Sequence, residues 1–123
     1  MNELLHKELS FVVVGAAMEV HRILGPGFLE AVYQASLAQE MMLRGIGFEQ
    51  FKPLPVHYKS VQAGSYIADF VIDSKIIVEI KAVSALNLRH EAQAIHYLTA
   101  TGIHLAILLN FGAASLEQRR IVR

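Results

Sequence analysis

The 123-residue sequence contains no cysteine, which excludes disulfides, thiolate zinc sites, iron–sulfur clusters and thiol catalysis together. It has no excess of charge: eleven Lys plus Arg balance eleven Asp plus Glu. That balance argues against a protein coating nucleic acid through a broad electrostatic surface. It leaves room for a local basic groove, or for a metal ion that offsets the chain's own carboxylates. A membrane-length hydrophobic run is also missing. Hydrophobic residues make up 54% of the chain and the mean hydropathy is +0.39. Yet the longest apolar or small run, Phe11 to Met18, falls far short of a bilayer span and leads straight into Glu19, His21 and Arg22. The first residues, Met1 to Glu8, are mixed in charge, unlike a signal peptide. These features predict a soluble cytoplasmic protein that hides part of its apolar surface in a homo-oligomer.

Several chemical signatures are absent too. Gly25-Pro26-Gly27 ends a helical pattern rather than following a strand, so it is neither a phosphate loop nor a dinucleotide fingerprint. The six histidines show no i,i+4 pair flanking a glutamate. Ser10, Ser36, Ser65 and Ser84 lack a nucleophile-elbow context, and nothing points to electron transfer. No repeat, low-complexity tract or linker interrupts the chain, so a single domain is expected over residues 1–123.

What is present reads as a sandwich of helices on a mixed sheet. Glu3 to Leu24 has a helical pattern, and Gly15, Ala16 and Ala17 at its centre allow close approach of another element. A second helix is expected from about Phe28 to Arg44, with Gly45 supplying the left-handed position after its end. Glu49 to Ser60 carries Pro53 and Pro55 two residues apart, which suits an edge strand. Ser65 to Asp73 and Lys75 to Val83 flank a tight turn and read as an antiparallel hairpin. A third helix covers about Asn87 to Thr101, followed by a buried strand from Ile103 to Leu109 and a short last strand from Leu116 to Val122. Arg119, Arg120 and Arg123 give the end a basic character. Met41-Met42 and the phenylalanines fall at core-like positions and are assigned to packing. The order is α-α-β-β-β-α-β, with one more short strand possible.

The chemically informative residues lie on the hairpin. Glu79 and Lys81 are two apart on a strand and so share a face. Alternation puts Ile67, Asp69 and Val71 on one face of the preceding strand, and a turn centred on Ser74 brings the two faces together. The apolar neighbours predict that this face is largely buried. Two carboxylates in an apolar setting repel unless a cation lies between them, and hard oxygen ligands suit Mg²⁺ or Mn²⁺. Lys81 would then hold an attacking water or neutralise charge growing on a phosphate, as metal-assisted phosphodiester hydrolysis requires. A plain ion pair of Lys81 with Glu79 or Asp69 is the alternative. Gln93 and Tyr97 are four apart on the third helix, with Arg89 and His90 one turn earlier, so one helix face can serve the same spot. An ordinary wet helix face is the alternative there. Glu30, in the first turn of its helix, is either a third acid for the site or a residue favourable to the helix dipole. His21 and His90, both near this site, are read as structural or substrate-contacting rather than metal-binding.

The string Glu19-Val-His21-Arg-Ile-Leu-Gly25-Pro-Gly-Phe-Leu-Glu30-Ala-Val-Tyr33 contains a GxxExxY pattern. It is followed in order by Ala68-Asp69-Phe70, Ile77-Val-Glu79-Ile-Lys81-Ala82, His90-Glu-Ala-Gln93 and Asn110-Phe111. From about Ser10 to Val122 the chain therefore resembles the small GxxExxY proteins, and through them the PD-(D/E)XK nuclease superfamily. The resemblance implies an α/β, restriction-endonuclease-like fold, a mixed central sheet flanked by helices. It implies Mg²⁺- or Mn²⁺-dependent cleavage of nucleic acid, DNA ahead of RNA. It places Asp69, Glu79 and Lys81 in the core signature, Glu30 as the acid from the preceding helix, and Gln93 with Tyr97 as the QxxxY element of the exonuclease branch. The implied metal ligands are Asp69 and Glu79 with Glu30, while Gln93, Tyr97, Arg89 and His90 would position the substrate. Ala68 stands where the signature carries proline, and Ile67 where many relatives carry a basic side chain. A nuclease-fold module that binds or assembles without cutting is the alternative function.

Overall fold

The computed structural model describes residues 4–123. The elements run α1 (Lys7–Leu24), α2 (Glu30–Leu43), β1 (Phe48–Tyr58), β2 (Val61–Ile72), β3 (Ile76–Lys81), α3 (Leu88–Thr101), β4 (Leu105–Asn110) and β5 (Glu117–Val122). This is the expected order with the short last strand realised. The expected helix start at Glu3 lies outside the described residues; the helix begins at Lys7, after His6 takes a left-handed φ of 52°. The second helix starts at Glu30 rather than Phe28. The Phe28 amide instead donates to the Tyr33 hydroxyl, in the turn that leads into the helix.

The sheet is mixed, in the order β1-β2-β3-β4-β5. β3 and β4 are parallel, joined through α3, and the other neighbours are antiparallel. β1 is an edge strand, as its prolines suggested. It forms with β2 a longer hairpin than expected, paired from Phe48↔Ile72 out to Tyr58↔Val61. No helix among the described residues is long and apolar enough to cross a membrane.

Two apolar layers cover the sheet. Val13, Ala16, Ala17 and Val20 of α1 and Leu37 and Met41 of α2 pack on Phe70, Ile72, Val78, Ile80, Ile107 and Leu109. The small residues at the centre of α1 do face neighbouring elements: Ala16 and Ala17 are fully buried, and a Cβ on Gly15 would meet the Arg44 guanidinium at 3.4 Å. Ala94, Tyr97 and Leu98 of α3 pack on the opposite face with Leu54, Ala68, Val71, Ile77 and Leu108. β3 and β4 are buried on both faces, which explains their unbroken apolar runs.

Three sequence expectations are corrected. Alternation predicted one face for Ile67, Asp69 and Val71, but Ile67 is 59% exposed while Val71 is buried under α3. Phe70 and Ala68 have the same parity yet sit on opposite faces of the sheet. The same holds across the ladder for Phe48 and Leu54. Both strands therefore change face between these positions. The break falls where Phe51 takes a φ of 54° and where the Phe51–Asp69 pair drops out of a register that is constant from Phe48 to Val56. A left-handed residue rotates the strand by more than the pleat allows, so the period-2 pattern restarts beyond it. Second, packing does not account for every large apolar residue: Met41 is buried, but Phe11, Phe28, Met42 and Phe51 are exposed. Third, the basic character of the end is partly taken up by contacts within the fold. Arg119 pairs with Glu91 at 3.0 Å, and Arg120 donates to Ser10 Oγ and the Leu5 carbonyl.

Candidate active site

β2 and β3 pair only at Phe70↔Val78, Val71↔Ile77 and Ile72↔Ile76. Beyond these pairs the two strands separate, and Asp69 and Glu79 stand at the mouth of the fork. The Asp69 carboxylate accepts the Ile80 backbone N–H at 2.7 Å, replacing a ladder bond with a side-chain bond. The Asp69 carbonyl is met by Gln34 Nε2 at 3.1 Å, from the neighbouring helix. The aspartate is thus anchored at both its carboxylate and its main chain.

Glu79 is 4% exposed, and its Oε1 is buried without a hydrogen-bond partner. Burial pushes its carboxyl up to about 10, and the Asp69 carboxylate within hydrogen-bonding reach adds to the effect, while Lys81 opposes it. Lys81 donates to Gln93 Oε1 at 2.9 Å, linking the end of β3 to α3. The Tyr97 hydroxyl is held up to about 12 by its burial, then by the charges of Glu79 and Asp69. Glu30 lies at the open side. Desolvation on one flank raises its carboxyl, followed by the Asp69 charge, with Lys81 again opposing. Glu30, Asp69, Glu79, Lys81, Gln93 and Tyr97 therefore converge from α2, β2, β3 and α3.

The remaining sequence candidates have other contacts. His90 Nδ1 accepts the Asn87 N–H at 3.2 Å and Asn87 Oδ1 accepts the His90 N–H, so the pair forms a capping box at the start of α3. Its imidazole is pushed down by desolvation and then by the Lys81 charge. The Arg89 N–H joins the same cap, and its side chain is exposed. His21 is structural: Nε2 bonds the Ala113 carbonyl at 2.9 Å, and the ring stacks on Phe111.

The GxxExxY residues have a mechanical explanation. Gly27 adopts a φ of +111°, a conformation open to glycine, in the turn between α1 and α2. Tyr33 is fully buried, donates its hydroxyl to the Gly25 carbonyl at 2.6 Å, accepts Phe28 N–H at 3.1 Å and stacks on Phe111 at 4.7 Å. The tyrosine ties down the turn from which Glu30 projects.

Two supports were given no role from sequence: Gln34 was not named, and Asn110 entered only within the Asn110-Phe111 string. Gln34 lies one helical turn after Glu30, a spacing that would have flagged it. Asn110, fully buried at the end of an apolar strand, accepts the Val83 and Gly112 amides at 3.0 Å and donates to Glu117. Glu117 in turn accepts the Leu86 amide, and these bonds hold its carboxyl below the ordinary range. A Cβ on Gly112 would stand 2.4 Å from the Val83 carbonyl oxygen, so the β4–β5 turn crosses the exit of β3 at backbone contact. This network fixes residues 82–87, and with them the start of α3.

Among the described residues, no group of three or more His or carboxylate side chains already closes to metal-ligating geometry. The close pair is Asp69 with Glu79. A buried oxygen without a partner, in a carboxyl raised by its neighbour, fits a divalent cation: hard oxygen donors and excess negative charge are both at hand.

The family model of the PD-(D/E)XK nuclease superfamily matches residues 7–121. The chain belongs to this superfamily. No curated protein matches the sequence. Among solved structures, the chain is similar to an alkaline exonuclease from Laribacter hongkongensis, at 12% identity and a TM-score of 0.43, over 87% of this chain and 76% of that one. Membership of the superfamily agrees with the mixed sheet between helical layers, and with a nuclease type of function.

Proposed function

We propose that this protein is a divalent-metal-dependent nuclease that hydrolyses nucleic-acid phosphodiester bonds. The observation that carries the reading is buried Glu79, with a partnerless oxygen, paired with half-buried Asp69 beside Lys81 in a PD-(D/E)XK chain. Asp69 and Glu79, with Glu30 beside them, are the residues that would hold the ion, Mg²⁺ or Mn²⁺. The bound ion supplies charge to polarise the phosphoryl group and to activate water. Lys81 brings its side-chain cation to the same spot and neutralises charge developing on the phosphate. Gln93 aims that ammonium through its 2.9 Å bond, Tyr97 closes the α3 side, and Arg89 and His90 offer contacts to the phosphates on either side. The motif likeness to the GxxExxY proteins supports the same assignment of Glu30. DNA is the first substrate to test and RNA the second. Exposed Phe11, Met18 and Ile23 on α1, with Met42 and Leu43 at the end of α2, support self-association; the cytoplasm is the proposed location.

A non-cutting binding module is the second reading, favoured by exposed Ile67 at a position basic in many relatives and by the balanced charge. Labelled DNA and RNA incubated with the protein in Mg²⁺ or Mn²⁺ separate the two. Cleavage is expected from the parent and not from Glu79→Gln or Lys81→Ala. Binding without cleavage on every substrate would establish the second reading instead.

A further inference from the structure

The face switch in β1 and β2 has a consequence on both sides of Asp69. On the α2 side lies an open cleft of about 340 Å³, walled by Ala31 and Ala35 of α2 and Gln50 and Phe51 of β1, with Glu30 and Asp69 in its lining. Phe51 is 56% exposed there, on a left-handed backbone that is unfavourable for a bulky L residue. Backbone strain of this kind persists where surrounding structure enforces it, and it collects at functional sites. Here it leaves an aromatic ring in solvent at the cleft whose lining it shares with Asp69. On the α3 side, Tyr66, on the same strand as Asp69 and three residues before it, is 44% exposed, with its ring centroid 5.1 Å from that of Tyr97. Two accessible rings, on opposite faces of the sheet, thus bracket the carboxylate pair.

We infer that the substrate of this site is single-stranded nucleic acid, whose bases on the two sides of the scissile phosphate are splayed apart, one stacked on Phe51 and the other on Tyr66. The inference deepens the nuclease reading and rests on it for the position of the phosphate. An aromatic ring stacks on any base, giving sequence-tolerant affinity for single strands. In a duplex the base faces are covered by their neighbours, so neither ring reaches one unless the helix is opened. The cleft lies within the size range of small-ligand pockets, and its Gln50 carboxamide offers a donor and an acceptor to a base edge. The absence of net charge points the same way. A long duplex footprint draws its affinity from many phosphate contacts, whereas a short stacked segment needs few.

The test measures binding of the full-length protein to labelled oligothymidylate, oligouridylate and a hairpin duplex, with Ca²⁺ in place of Mg²⁺. Single strands are expected to bind at least tenfold more tightly than the duplex. Phe51→Ala and Tyr66→Ala each lower single-strand affinity by roughly tenfold, the scale of one stacked base, and leave duplex affinity unchanged. Phe51→Trp and Tyr66→Phe keep the single-strand affinity, since they keep a ring. Equal affinity for duplex and single strands overturns the inference. So do alanine variants that unfold like the parent and bind single strands as well. The catalytic reading is scored separately, by cleavage of the same oligonucleotides in Mn²⁺ by the parent and by Glu79→Gln. No cleavage by the parent, with the binding pattern intact, removes catalysis alone; cleavage by the parent with a duplex preference removes the single-strand inference alone.

Discussion

Glu79→Gln should stabilise the metal-free protein, and its effect should grow with pH. In the fold the Glu79 carboxyl is raised from its ordinary 4.5 to about 10, chiefly by burial and by Asp69. The unfolded chain releases that proton near the ordinary value, so between the two values the folded state holds a proton that the unfolded state has lost. A raised carboxyl contributes stability that is fully present below 4.5 and is lost as pH rises toward the folded value. Each pH unit in that window removes about 1.4 kcal/mol, so at neutral pH the parent has given up about 3 kcal/mol that glutamine does not lose. Urea unfolding in EDTA across mildly acidic to mildly alkaline buffers reads this directly. The two proteins should be closest at the acid end, with glutamine ahead by up to about 3 kcal/mol at neutral pH. A saturating divalent ion should reverse the order, since ligand at a hundredfold over its dissociation constant contributes about 2.7 kcal/mol, and only the carboxylate form binds it well. The same linkage predicts that metal binding at neutral pH releases about one proton, visible as calorimetric heats that change with buffer ionisation enthalpy. A glutamine variant less stable than the parent in alkaline EDTA would refute the reasoning, as would parallel pH curves.

Asn110→Ala leaves the Val83 and Gly112 amides without their acceptor; at about 1–3 kcal/mol per orphaned group that water does not fully reach, urea unfolding should show a loss of about 2–6 kcal/mol. Gly112→Ala forces a Cβ into the Val83 backbone, and since backbone cannot step aside as a side chain does, a loss of about 3 kcal/mol or failure to accumulate as folded protein is expected. Tyr33→Phe removes the bonds to the Gly25 carbonyl and the Phe28 amide and should lower stability by about 1–2 kcal/mol. If Tyr33 places Glu30, the same change should lower cleavage while calorimetry finds metal affinity within a few-fold of the parent.

The element order, the turn at Ser74 and the spacing of Glu79 and Lys81 were all legible in the chain. Each depends on residues close in sequence: a period of two or 3.6, a glycine after a helix, an acid and a lysine on one strand face. Gln93 and Tyr97 were legible for the same reason, as neighbours on one helix face. Even the facing of Asp69 by Glu79 was foreseen, although the alternation used to argue it fails at Ile67, which is exposed.

What tertiary structure alone decided lies in the relations between elements. A left-handed Phe51 resets the alternation of its own strand, and of β2 across the ladder, and no local pattern in β2 reports an event in β1. Gln34 reaches the Asp69 carbonyl across 35 positions of sequence, and Asn110 holds Val83 across 27. The raised carboxyl of Glu79 is likewise a property of burial and neighbours, not of residue type. Composition and periodicity determined which pieces this chain makes and which acids and lysine it carries. Packing determined where those side chains meet, and left one buried oxygen among them without a partner.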